Sequence, residues 1–466
     1  MTKVNRAKTL FPLLLAGGVA CSAPPDTGAP RVDVDQTLSP ATLSVESPIT
    51  AVAACPNIPG QMRCYSAMLR PNRFKPFTLP PGLGPTGLAS AYNFASVTAP
   101  TPAPTIGIID WYDDANAEAD LGVYRTAYSL GACTTANGCF SKVDQYGNTI
   151  TAATTAAGDP PLPSSTGGAG TDFEISLDIE MASAVCPTCK ILLVEANSGY
   201  MEDLGAAVNT AVRLGATVVS NSYGGGESAS DATFDTAYFE HVGVTIFASA
   251  GDHLYTTGVS YPASGAWVVG VGGTSLTVDA SNARGWDEVV WNDNSVSGLS
   301  GWGTQSGCSA YTPIPAWQGV AAGEPSGCSK KMVADVSAQS ADADAVAVYD
   351  SLVDPAWNEA IGTSVASPIM ASLFALTGLA GVSPGWIWDN KSDFYDITVG
   401  NNNPPSGTCS PSAWFCVAQT GYDGPTGWGS PNGALLAARG PQWIKQATYW
   451  KALMEEKIPG DLLHGD

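Results

Sequence analysis

Three groups of side chains in this sequence have the types and spacing needed for acyl transfer. Gly362-Thr363-Ser364-Val365-Ala366-Ser367-Pro368 opens a segment with apolar residues at Ile369, Met370, Leu373 and Leu376. A serine held by a glycine at a strand-to-helix turn is exposed and aimed as a nucleophile, although Thr363 or Ser364 would also serve as a plain helix cap. Glu174 and Asp178 stand four residues apart and share one helix face. Two such carboxylates repel when both are ionised, and sharing a proton relieves this. One can then act as base to Ser364 while the other holds its proton. The ordinary alternative is a solvated acidic face, which Asp172 and Glu180 would extend. Asp252 closes the run Phe247-Ala248-Ser249-Ala250-Gly251-Asp252. Protonated, it can donate a hydrogen bond to a developing oxyanion; otherwise it caps a turn. Asp110, Asp113 and Asp114 follow another apolar run and are assigned to loop structure.

The elements that must position these groups alternate between strand and helix. Thr105 to Asp110 reads as a short buried strand, Asp172 to Ala184 as an amphipathic helix turning Leu177, Met181 and Val185 to the core, and Lys190 to Val194 as a strand. A helix over Met201 to Leu214, a strand over Ala216 to Ser220, a helix near Asp231–His241 and a strand over Val244 to Ala248 continue the series to Ala266–Gly272. Alternation of this kind predicts an α/β fold, a mainly parallel sheet with helices on both faces. Its chemistry gathers beyond the carboxyl ends of the strands. Residues 22 to about 90 are rich in Pro, Ser, Thr and Ala and read as a tail and a loop-rich lead-in.

Together these residues resemble the sedolisin family, the serine-carboxyl peptidases of subtilisin-like fold. The resemblance rests on eight segments in order from Leu88-Ala89-Ser90-Ala91-Tyr92-Asn93 to about Gly433. Among them are Ser220-Asn221-Ser222-Tyr223-Gly224, Tyr261-Pro262-Ala263, Val271-Gly272-Gly273-Thr274 and Asp335-Val336-Ser337-Ala338. It implies Ser364 as nucleophile, Glu174 as general base, Asp178 as its carboxylate partner and Asp252 as the oxyanion acid. Ser222, Tyr223 and Gly224 would bind substrate backbone. It also implies one Ca2+ ion held by Asp396, Ile397, Gln419, Gly421 and Asp423, an oxygen shell suited to a hard cation. Gln419 stands where the family usually has Gly, a change that a backbone carbonyl tolerates. The expected activity is endopeptidase action on polypeptides, strongest at about pH 3–5. A neutral subtilisin-type protease would need a histidine base. The three histidines, His241, His253 and His464, lack the His-Gly-Thr context of such enzymes. A catalytically silent binding protein on the same scaffold is the remaining alternative.

Composition bounds the setting. Among the 466 residues, 20 are Lys or Arg and 42 are Asp or Glu, for a net charge of −22. A chain so acidic is a poor partner for nucleic acid or anionic lipid. Charged residues are 13% of the chain, about half the usual ~25%. A surface with few cations gains little positive charge when its carboxylates protonate, which suits an acidic exterior. Lys3, Arg6 and Lys8 before the apolar run Leu10–Ala20 read as an export signal, too short to span as a mature helix. Cleavage after Ala20 would expose Cys21 as a site for a lipid anchor. The other ten cysteines fall in five close pairs, 55/64, 133/139, 186/189, 308/328 and 409/416, and predict local disulfides in an oxidising compartment. The expected organisation is a signal over 1–20, a lead-in over 21–87 too short for the family's usual prodomain, a peptidase domain over 88–440 and an extension over 441–466. The reading is of a secreted or cell-envelope monomer.

Overall fold

An eight-stranded sheet organises the molecule. The computed structural model describes residues 49–71, 80–151, 154, 170–255, 258–318, 327–404 and 413–443. Across the sheet the strands run Trp286–Val290, Val268–Val278, Thr245–Ser249, Val218–Asn221, Thr105–Trp111, Lys190–Ala196 and Phe140–Asp144, and Val336–Gln339 also pairs with Val268–Val278. Every pairing is parallel except that of Val268–Val278 with Trp286–Val290. Such strands are covered on both faces, which is why they read as continuous apolar runs such as Ile191-Leu192-Leu193-Val194. Ile106 pairs with Ile191 on one side and Val218 on the other. Strand order therefore reverses about Thr105–Trp111, the kind of switch point where α/β sheets bind ligands.

Two helices pack against each other beneath the site: an acidic helix, Thr171–Val185, and a serine helix, Thr363–Leu376. The acidic helix is not amphipathic, contrary to the reading of Asp172 to Ala184. Each of its residues is buried, Asp172, Glu174, Asp178 and Glu180 included. Its polar face meets donors from other elements instead of water: Glu180 accepts the Tyr349 N–H at 2.9 Å. The solvated acidic face is thus excluded.

The lead-in also differs from its loop-rich reading. It forms strands at Ile49–Ala53, Arg63–Cys64 and Ala67–Pro71. Ala67–Pro71 lies between Ile49–Ala53 and Trp357–Ile361 in an antiparallel sheet completed by Val346–Tyr349. Ala67 and Leu69 join Trp291, Leu299 and Ile361 in a second, smaller core. The folded body therefore takes in strands well before residue 88.

Disulfides join Cys55–Cys64, Cys133–Cys139, Cys186–Cys189 and Cys308–Cys328. Cys416 is disulfide-bonded too, and Cys409 lies outside the described residues. So do the signal, Cys21, His464 and the extension beyond 443. Residues 433–443 are helical, and the Trp443 ring N–H donates to the Ala380 carbonyl at 3.3 Å. No helix among the described residues is long and apolar enough to cross a membrane.

Candidate active site

Strand Trp357–Ile361 delivers Ser364 through Gly362, whose φ of 121° favours glycine. A Cβ there would lie 2.1 Å from the Tyr65 carbonyl oxygen and 2.7 Å from Asp252 Oδ2, so the missing side chain makes room for both. Ser364 is not a helix cap. Its hydroxyl donates to the Ser222 carbonyl at 2.9 Å and accepts the Tyr65 N–H at 3.0 Å. Pro368, inside the same helix, has no N–H to return to the Ser364 carbonyl. That carbonyl instead has the Ser222 hydroxyl 3.4 Å away.

Glu174 and Asp178 are one turn apart on the acidic helix and fully buried. Glu174 Oε2 accepts from the Ser66 hydroxyl, and Asp178 Oδ1 accepts from the Ser222 hydroxyl at 2.8 Å. Burial raises the Glu174 pKa above the usual carboxylate range, against the pull of the nearby Ser364 and Ser66 hydroxyls. Burial and then the Glu174 charge drive Asp178 well above the usual carboxylate range. The Ser364 side chain thus has beside it a carboxyl pair that favours sharing a proton.

Asp110 joins this pair, which the sequence reading missed. It is buried near the end of the central strand, and neither carboxyl oxygen has a hydrogen-bond partner among the described residues. Burial first, then the charges of Asp178 and Glu174, raise its pKa well above normal. The available signal was its place in Ile108-Ile109-Asp110, at the carboxyl end of a buried strand. Asp113 and Asp114 do belong to loop structure: Asp113 pairs with Lys142, and the Asp114 N–H donates to Glu195 Oε1 at 3.0 Å.

Asp252 follows strand Thr245–Ser249 and sits under the start of the serine helix. Its Oδ1 accepts both the N–H and the hydroxyl of Thr363, each at 2.8 Å. Its Oδ2 has no partner among the described residues and faces the space over Gly362. Burial pushes its pKa up to about 7, against those two bonds. With Oδ1 occupied by donors, the proton of the neutral acid belongs on Oδ2, aimed where the Ser364 N–H also points. This is the geometry of an oxyanion site.

Comparison with known proteins agrees with this geometry. Residues 148–388, just over half of the chain, match the Subtilase family (Peptidase S8) model. Over 386 residues, 77% of its length, the chain is 30% identical to sedolisin from Pseudomonas sp. (strain 101). The chain belongs to the sedolisin family of subtilases. The chain is also 33% identical over 293 residues, 57% of its length, to kumamolisin from Bacillus sp. (strain MN-32). A solved structure of Pseudomonas sedolisin, a serine-carboxyl proteinase complexed with two molecules of pseudo-iodotyrostatin, superposes with a TM-score of 0.59 at 26% identity, covering 77% of this chain and 98% of that one. The chain spans 50% of the full kumamolisin and 61% of the full sedolisin sequence.

Among the described residues no hydrogen bond joins a histidine to Ser364. His241 Nε2 lies 2.8 Å from Asn209 Oδ1. His253 is pushed down to about 4 by burial and by the nearby Arg63 cation. The substrate strand expected at Ser222, Tyr223 and Gly224 is occupied by the chain itself: Cys64 pairs with Tyr223 and Arg63 with Gly224, antiparallel. The Ser222 side chain donates to Asp178.

Two hydrogen bonds link four of the five residues expected to hold calcium. Asp396 Oδ2 accepts the Gly421 N–H at 2.9 Å and Asp423 Oδ2 the Gln419 N–H at 3.0 Å. Asp423 is buried, and burial, with a further contribution from Asp396, pushes it up to about 7. No three acidic, His or Cys side chains among the described residues form a metal-holding group. The expected donor set, two carboxylates with the carbonyls of residues 397, 419 and 421, needs no such group.

Proposed function

We propose that this chain is an exported serine-carboxyl endopeptidase that hydrolyses polypeptides in acid through an acyl-enzyme on Ser364. The observation that carries this reading is that the Ser364 N–H bonds the Tyr65 carbonyl, which shares the space over Gly362 with Asp252 Oδ2, while Ser364 Oγ meets the Tyr65 N–H and a buried Glu174 meets Ser66. Ser364 attacks the scissile carbonyl as Glu174, ionised while the protons of the carboxyl cluster sit on Asp178 and Asp110, takes its proton. The neutral Asp252 and the Ser364 N–H receive the oxyanion. Glu174 then protonates the leaving amine, and water releases the acyl group. Ser222, Tyr223 and Gly224 hold substrate backbone.

Asp423, buried, and Asp396, exposed, stand close enough for the Asp396 charge to raise the Asp423 pKa, and such a pair favours a cation. In this reading Asp396, Asp423 and the carbonyls of Ile397, Gln419 and Gly421 would hold one Ca2+, which would supply charge compensation. The disulfides support a secreted or cell-envelope setting, with Cys21 available for a lipid anchor and a monomer as the working form. The test is hydrolysis of an unfolded protein at pH 4 by wild type and by Ser364→Ala. Wild type should be active, and the variant should lose at least about 10⁴-fold with an unchanged circular dichroism spectrum. A silent wild type would leave the scaffold as a binding protein.

A further inference from the structure

The cleft of this molecule holds a stretch of its own chain, and the register of that stretch is that of a substrate. Met62 N–H donates to the Gly199 carbonyl at 2.7 Å, Arg63 and Cys64 pair antiparallel with Gly224 and Tyr223, and Tyr65 N–H donates to the Ser222 carbonyl at 3.2 Å. The Tyr65 carbonyl then accepts the Ser364 N–H at 2.9 Å and lies with Asp252 Oδ2 over Gly362. Ser364 Oγ is 3.0 Å from the Tyr65 nitrogen, against the same residue whose carbonyl fills the oxyanion site. The next residue, Ser66, places its hydroxyl on Glu174, the group that must protonate a leaving amine. The Tyr65 side chain is buried, with its hydroxyl 2.6 Å from Ser260 Oγ and the Arg63 guanidinium 5.4 Å from the ring centre. A cleft of about 390 Å3 lined by Arg63, Gly224, His253 and Ser260 continues beside it.

We propose that the Tyr65–Ser66 peptide bond is the chain's own processing site, cut by Ser364 of the same molecule. The proposal rests on the peptidase reading above and adds to it the bond that is cut and an aromatic residue with a hydroxyl before the cut. The Ser364 oxygen bonds to the Tyr65 carbonyl carbon, and its proton passes through Glu174 to the Ser66 nitrogen as the C–N bond breaks. One water then frees the Tyr65 carboxylate and returns a proton to Ser364. The products are a segment ending in Tyr65 and a body beginning at Ser66.

Both ends of the cut stay anchored. Cys55 and Cys64 are linked on the amino side of the bond, while Ala67–Pro71 is held by strand Trp357–Ile361 on the other. Of the disulfides whose two cysteines are described, none bridges the cut, and denaturation with reduction separates the products. The experiment compares the full chain, wild type and Ser364→Ala, by denaturing intact mass and N-terminal sequencing, on purification and after incubation at pH 4. Wild type should yield a chain beginning at Ser66, and Ser364→Ala should remain whole at that bond. Tyr65→Gly, with Ser364 intact, should slow the cut about tenfold or more, since it empties the side-chain site. Wild type that hydrolyses an external peptide but leaves Tyr65–Ser66 whole would overturn the proposal while sparing the peptidase reading. Wild type that cuts neither overturns both, and a Ser66 terminus in purified Ser364→Ala would show that another protease makes it.

Discussion

At the scale of single residues, Asp252 is where the chemistry can be read most directly. Its raised pKa of about 7 means that it is a neutral donor at acid pH and becomes an acceptor-only anion as pH rises through that value. The oxyanion loses a donor over the same interval, so turnover should fall across about pH 6–8. Asp252→Asn keeps an N–H donor and should retain part of the rate with a flatter alkaline limb. Asp252→Ala should lose about 10²–10³ in kcat. Profiles of kcat against pH for the three proteins check this, and a limb indifferent to both substitutions would remove Asp252 from the reaction. Ser364, Glu174, Asp178 and Asp252 were legible in the sequence because each sits in a short local pattern of turn, helix or strand end. Asp110 was not, because its part depends on strand order, which brings the central strand beside a helix more than sixty residues later. Tyr65 was hidden for the same reason, bonding a serine 299 residues away.

At the scale of elements, strand and helix periodicity gave the central sheet, whose long apolar strands advertise themselves. It did not give the lead-in strands, which are two to five residues long and draw their stability from partners near residue 360. The acidic helix misled for a related reason: buried carboxyls with distant partners have the same spacing as carboxyls facing water. The loops around Asp396 and Asp423 form a third element, packed under the aromatic cluster of Trp388, Trp414, Tyr422 and Trp428. If one Ca2+ compensates those two carboxylates, excess chelator should lower Tm. A site held at a hundredfold over its Kd contributes about 2.7 kcal/mol, several degrees in a protein of this size. Differential scanning calorimetry with and without chelator, with elemental analysis of the untreated protein, reads the result. No change in Tm and no bound calcium would dismiss the ion.

At the scale of the whole molecule, the folded state is built to hold protons. Asp110, Asp178, Glu180 and Glu195 are buried with pKa values pushed well above normal by burial, and Asp252 is held near 7. In the unfolded chain these groups titrate near 4. A folded pKa above the unfolded one gives stability that is full below about pH 4 and is lost as pH climbs towards 7–8. The net charge of −22 adds repulsion over the same range. Tm should therefore be higher at pH 4 than at pH 8, by about 5 °C or more; a Tm that rises with pH over this interval would contradict the neutral-carboxyl core. The low content of Lys and Arg made an acid setting legible from composition, whereas the burial of particular carboxyls needed the fold. The strand Arg63–Cys64, paired in the cleft, has one more consequence. A ligand joined to its own receptor by a short tether acts at a fixed effective concentration, of millimolar order for flexible links. Diluting the protein cannot weaken it. An outside peptide meets a rival whose strength does not depend on how many molecules are in solution, and occupancy of the cleft becomes a property of each chain by itself.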